Sequence, residues 1–251
     1  MLKFLRNSIG AKVAPKTYES ASIDQPAQSR LERPTRSFEK FFDHLKNVNN
    51  YNPACCIDVG AAKGTTAIYK AFPEALHIVF EPLPDFHAAL AETMKPYKHE
   101  IYHCALMEKE SERTLLRHPD QFGSSMMHKR KGRDSDLVNV QVHALDDVLS
   151  EKTINGDLLI KTDCQGADLY VLKGGEKTLD KASVVIVEAS LFRFWGPHHP
   201  DIYEIIRYMN ERNFVLYDLL DGLYRPSDGA LGQLDLAFVK RDGPFRQNVK
   251  W

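Results

Sequence analysis

Asp58-Val-Gly-Ala-Ala-Lys-Gly64, followed about twenty residues on by Val79-Phe-Glu81-Pro82, is the stretch that decides the fold. The apolar run 54–58 reads as a buried strand, which breaks into a glycine-punctuated turn before a helix over 65–71. A second apolar run, 75–80, ends in the carboxylate Glu81. An open α/β sheet holds an adenosine with this layout. Glycine lets backbone N–H groups approach the ligand, and the acid at the end of the next strand accepts from ribose hydroxyls.

NAD and S-adenosyl-L-methionine both suit such a layout, and the glycine spacing separates them. A pyrophosphate site asks for Gly-x-Gly-x-x-Gly, but Gly60 is followed by Ala61 and Ala62. Asp58 would repel a pyrophosphate, whereas opposite charge favours a ligand carrying an ammonium and a sulfonium. The plainer reading of Asp58 is a helix cap. S-adenosyl-L-methionine is the favoured cofactor, with a nicotinamide-dependent oxidoreductase as the alternative.

Outward from this stretch, strands and helices alternate. Residues 1–36, with Pro15, Pro26 and Pro34, read as a flexible or strapped N-terminal arm, and 37–251 as the catalytic domain. Ser37 caps a helix through 48 that buries Phe38, Phe41, Phe42 and Leu45. Strands are predicted over 76–81, 100–105, 158–162, 183–187, 214–219 and 234–240, and helices over 85–94, 167–179 and 202–212. The segment 111–143 breaks the rhythm with short alternating strands around Gly123-Ser-Ser-Met-Met127, an insertion near the site. This predicts an α/β fold: a mostly parallel seven-stranded sheet, helices on both faces and an antiparallel last strand.

The chain has 251 residues, 43% hydrophobic, enough for one sizeable core. A net charge of -1 gives no reason to expect nucleic acid as a partner, and the basic run His128-Lys-Arg-Lys-Gly-Arg133 reads as a solvated loop. Cys55, Cys56, Cys104 and Cys164 lack metal-ligand spacing and read as core thiols of a reducing compartment, which predicts a cytoplasmic location. No apolar stretch reaches a membrane span. A homo-oligomer stays open.

Four carboxylates, Asp58, Glu81, Asp163 and Glu188, fall at the predicted C-terminal ends of parallel strands, the edge where ligands bind in such sheets. At this point the chain resembles the FkbM family of S-adenosylmethionine-dependent methyltransferases. The resemblance rests on Ile57-Asp-Val-Gly-Ala-Ala-Lys-Gly64, Phe80-Glu-Pro-Leu-Pro84, Ala105-Leu106, Leu145-Asp-Asp147 and Leu159-Ile-Lys-Thr-Asp-Cys-Gln-Gly-Ala-Asp168. It continues through Val171-Leu-Lys-Gly174, Ile186-Val-Glu188 and Asp228-Gly-Ala-Leu-Gly-Gln-Leu-Asp-Leu-Ala-Phe238. The family usually has Asn at the place of Ala62 and Glu at the place of Asp168, and Thr162 also departs from its pattern. Ala62 is the only sequence support for a non-catalytic cofactor-binding paralogue.

The resemblance implies a class I, Rossmann-like methyltransferase that moves a methyl group onto a hydroxyl of a sugar, glycan or polyketide-like small molecule. Position then assigns roles. Glu81, with Pro82 behind it, meets the ribose; Gly60, Ala61 and Gly64 line the methionine portion; Asp58 meets the amino group or orders the loop. Ala105 and Leu106 border the adenine. Asp163 is the leading acceptor-side residue, and His198 and His199 are candidate bases. Mg2+ on Asp163, Glu188 and Asp235 is the less favoured reading; structural carboxylates are at least as well supported. Gln165 and Gly166 shape the turn after strand four. Phe192, Phe194 and Trp195 are read as an aromatic wall or as core, and Ser124 and Ser125 as contacts to cofactor or substrate.

Overall fold

A computed structural model describes residues 35–127, 136–248 and 250. The predicted arm through residue 34 and the basic run 128–133 lie outside the described residues. Pro34–Trp251 forms one compact unit.

Among the described residues, ten strands and seven α-helices follow in chain order. α1 (Phe38–Asn47) precedes β1 (Cys55–Val59), α2 (Thr66–Ala71), β2 (Leu76–Phe80), α3 (Pro84–Met94) and β3 (His99–Tyr102). β4 (Ala105–Leu106), β5 (Ser111–Leu116), β6 (Leu137–His143) and α4 (Leu145–Val148) come next. Then follow β7 (Leu158–Thr162), α5 (Asp168–Lys173), α6 (Glu176–Lys181), β8 (Ala182–Ser190), α7 (Ile202–Glu211), β9 (Phe214–Tyr224) and β10 (Leu231–Lys240). The main sheet has the order β3-β2-β1-β7-β8-β10-β9, and β10 pairs antiparallel with both of its neighbours. The predicted seven-stranded architecture is therefore present.

Alternation along the strands divides the core. Ile57, Ile160, Val185 and Leu236 pack against Leu172, Leu179, Ile205 and Met209 of α5, α6 and α7. Cys56, Leu159, Ile186 and Ala237 pack on the opposite face with Phe41, Phe42 and Leu45 of α1, Tyr69 of α2 and Leu90 of α3. Ser37 caps α1 as predicted, its side chain accepting from the Lys40 amide.

Three expectations needed correction. The single strand predicted over 100–105 is two: β3 pairs with β2, while β4 leaves to join β6 and β5 in a separate three-stranded sheet. Cys104 lies buried between β3 and β4 rather than inside a strand. The acids do not all stand at strand ends. Asp58 lies inside β1 and Glu188 inside β8, which runs on to Ser190 because β10 pairs with it that far. Glu81 and Asp163 do follow directly on the last residues of β2 and β7.

Candidate functional site

A cleft of about 730 Å3, open to solvent, lies beyond the C-terminal ends of β1, β2 and β7. Glu81, Asp163 and Gln165 bring its polar side chains, and Leu83, Phe86, Ala105, Leu106, Leu115, Phe122 and Met126 its apolar ones. Ala62 packs with Leu83, Phe86, Ala105 and Leu115. Glu81 follows β2, which lies between β1 and β3 in the sheet.

The β1–α2 loop folds through left-handed backbone at Gly60 (φ +74°), Ala62 (φ +50°) and Gly64 (φ +103°). Gly60 is required for a steric reason as well, since a Cβ there would lie 2.0 Å from the Asp163 carbonyl oxygen. The loop's amides turn inward. Gly60 and Ala61 N–H donate to the Phe80 carbonyl (3.0 and 3.2 Å), and Ala62 N–H donates to Glu81 Oε2 (2.7 Å). The predicted approach of these amides to a ligand is therefore not what the loop provides. Ala61 is buried among core side chains, and Gly64 faces Thr93, Tyr69 and Leu90; neither lines the cleft.

Glu81 is 5% exposed and accepts on both oxygens, from Ala62 and from Leu83 (2.7 Å each). Burial pushes its carboxyl up to about 7, against the pull of the Leu83 and Ala62 amides. Each oxygen keeps a further acceptor site. Pro82, Ala105 and Leu106 line the cleft with it.

Asp58 orders the loop. It accepts from Thr65 N (3.3 Å), Thr65 Oγ1 (3.1 Å) and the buried Tyr69 hydroxyl, and Lys161 Nζ lies 3.7 Å away. It is fully buried and does not line the cleft, so of its two predicted roles the structure places it in the second.

Lys161 was not singled out in the sequence, though a lysine inside the apolar run Leu158-Leu-Ile-Lys-Thr was the signal. Its ammonium is buried between Asp58 and Asp163 (3.2 Å), on the sheet face that Asp58, Glu188 and Asp235 share. Burial alone would lower its pKa, but Asp163, Asp58 and Asp235 outweigh that and hold it above the ordinary lysine value. Burial also raises Asp235 to about 8 and Asp168 to about 6, and drives Glu188 well above the carboxylate range; Asp163 adds to all three. Asp163 itself is one-third exposed and forms part of the cleft wall. Gln165 Nε2 donates to both Asp163 and Glu188 (3.2 Å each), which fixes the two carboxylates relative to each other.

No cluster of three metal-ligating side chains occurs among the described residues. Asp163, Glu188 and Asp235, the residues considered for Mg2+, form no such cluster, and the Lys161 ammonium pairs with Asp163.

His198 and His199 are not brought to the cleft. The His198 side chain is exposed, and its carbonyl accepts from the Tyr170 hydroxyl (2.7 Å). His199 is buried, and burial together with Arg193 lowers it to about 4, so it is neutral at physiological pH. Its Nδ1 accepts from the Trp195 amide (3.4 Å), and its ring packs on Gly166, where a Cβ would meet Trp195 Cδ1 at 2.4 Å. His199 thus braces the turn after β7. Phe192 and Phe194 lie tilted against each other at the surface under Arg225, and neither lines the cleft. Ser124 lines the cleft, and Ser125 Oγ donates to the Gln165 carbonyl (2.7 Å), tying the insertion to that turn.

Sheet order and site together are those of a class I, Rossmann-like methyltransferase. Residues 58–216 match the methyltransferase FkbM domain, and the chain belongs to that family. A search of curated proteins gave no match. Solved structures to which the chain is similar include an rRNA methylase from Streptococcus thermophilus (11% identity, 83% of this chain and 98% of that one, TM-score 0.46). Another is the 1,6-didemethyltoxoflavin-N1-methyltransferase of Burkholderia thailandensis, solved with S-adenosylhomocysteine (12%, 82% and 80%, 0.42). A third is the precorrin-6y C5,15-methyltransferase of Geobacter metallireducens (8%, 80% and 87%, 0.42). No helix among the described residues is long and apolar enough to cross a membrane.

Proposed function

We propose that this methyltransferase uses S-adenosyl-L-methionine and methylates a hydroxyl of a sugar, glycan or polyketide-like small molecule. The observation that carries the cofactor assignment is Glu81, a buried carboxylate with acceptor sites to spare, lining one cleft with Asp163 and with the apolar Leu83, Ala105 and Leu106. S-adenosyl-L-methionine offers groups to match: a charged amino acid, a ribose diol and an apolar base. When bound, it supplies an electrophilic methyl group on a sulfonium.

The chain's own residues then bind and orient. Glu81 accepts from the ribose hydroxyls, and Pro82, Ala105 and Leu106 border the base. Gly60 and Ala62 flank the methionine portion. Asp163 lines the cleft, held by Lys161 and Gln165, and orients or accepts the proton of the acceptor hydroxyl. Such a base contributes roughly 10²–10⁴-fold in rate. Asp163 and Glu81 are the two carboxylates among the described lining residues, which gives Asp163 the role that neither histidine can reach.

Calorimetric titration with S-adenosylhomocysteine and with NADH tests the cofactor. Wild type is expected to bind the former, and Glu81→Ala to weaken it by about tenfold or more, the worth of a charge-assisted hydrogen bond. Because the ionised carboxyl is the acceptor, affinity should fall as pH drops through about 7. Binding of NADH alone would defeat the assignment. Methyl-labelled cofactor offered to sugars, glycans, polyketide-type alcohols and RNA tests the acceptor; label appearing only on RNA overturns the small-molecule reading. Binding without transfer to any acceptor favours the non-catalytic paralogue.

A further inference from the structure

The apolar side of the cleft is not finished by the main sheet. Its outer wall comes from the turn after β5, and its most exposed member is Phe122, a phenylalanine with 55% of its surface open. The turn is anchored on three sides. Arg117 Nη2 pairs with Asp85 Oδ2 at the start of α3 (2.9 Å), Ser125 Oγ donates to the Gln165 carbonyl (2.7 Å), and Leu116 and Ser125 exchange two backbone hydrogen bonds (3.0 and 3.2 Å). The Phe122 ring lies 5.2 Å, centroid to centroid, from Phe86, and Lys63 Nζ lies 5.6 Å from its centroid. An aromatic ring is thus held open to solvent in a fixed place at the cleft's edge. That arrangement costs apolar exposure unless a flat partner covers it.

Phe86 packs in one apolar cluster with Leu83 and Ala105, so the Phe86–Phe122 pair adjoins the Ala105–Leu106 segment assigned to the base. From this geometry we infer that Phe122 is the stacking residue for the purine of the cofactor. The insertion is accordingly a wall of the cofactor site, and the ring gives the site its preference for an adenine nucleoside over the amino acid part alone. The inference rests on the cleft's holding S-adenosyl-L-methionine.

The test titrates S-adenosylhomocysteine into wild type, Phe122→Ala, Phe122→Leu and Phe122→Trp. Stacking of one base on an aromatic side chain leads us to expect Phe122→Ala to bind about tenfold more weakly, with Phe122→Leu between the two. Phe122→Trp should keep wild-type affinity, and its added emission should be quenched by S-adenosylhomocysteine and by adenosine but not by homocysteine. Because the side chain is half exposed, the thermal midpoints of all variants should stay near wild type. Wild-type binding together with unchanged affinity in Phe122→Ala, or an unquenched Phe122→Trp, overturns this inference alone. Failure of wild type to bind S-adenosylhomocysteine at all overturns the cofactor assignment and this inference with it.

Discussion

Ala62 holds a backbone conformation that alanine does not favour, with φ +50°, and its amide closes the loop onto Glu81. Left-handed backbone costs a Cβ-bearing residue about 1–2 kcal/mol, a cost that glycine escapes and asparagine reduces. The sequence marked Ala62 as a departure from the family's Asn; the structure makes it a matter of backbone strain. Ala62→Asn and Ala62→Gly should therefore raise stability by roughly 0.5–1 kcal/mol, glycine gaining less because it loosens the unfolded chain. Urea unfolding would read this as a higher midpoint at unchanged slope, and a lowered midpoint in both would refute it. Gly60 was legible as a special position, but its reason was not: the carbonyl that excludes a Cβ belongs to Asp163, more than a hundred residues away.

Among elements, the motif Leu145-Asp-Asp147 illustrates how a recognisable pattern can carry structure rather than chemistry. Asp146 in α4 accepts from the amides of Lys177 and Thr178 (2.8 and 2.9 Å) and from Thr178 Oγ1 (2.7 Å), capping α6 from outside it. Gly175 precedes α6 and offers no side chain to do so. Asp146→Ala should cost about 1–2 kcal/mol in unfolding free energy while leaving S-adenosylhomocysteine affinity unchanged. A loss of affinity without a loss of stability would place the residue in the site instead. The strands of the main sheet were legible because a short apolar run bounded by turn residues is a local signal, and β1 and β7 are buried along their whole length. The split of the third strand was not. β4 is only Ala105–Leu106, and its partner, Val142 and His143 in β6, lies at the far end of the insertion.

Across the whole molecule, one buried cation faces an excess of carboxylates on a single face of the sheet. Asp235, Glu188 and Asp168 hold folded-state pKa values above the ordinary carboxylate range, so each keeps a proton that the unfolded chain has already released. Stability therefore falls as pH rises from near 4 through about 8. Asp235→Asn removes one of these titrations, and its thermal midpoint should decline less than that of wild type between pH 5 and pH 8. Parallel pH profiles for the two proteins would refute the assignment. The sequence by itself determined the alternation of strands and helices, the glycine–acid pair that opens the sheet and the family to which the chain belongs, because periodicity and turn chemistry are written over a few neighbouring residues. Only the tertiary structure decided that Lys161 meets Asp58 and Asp163, that His198 and His199 stand off the cleft, and that the insertion completes its apolar wall. Those groups come from strands and loops remote in the chain, and strand order sets their meeting, which no local stretch of residues encodes.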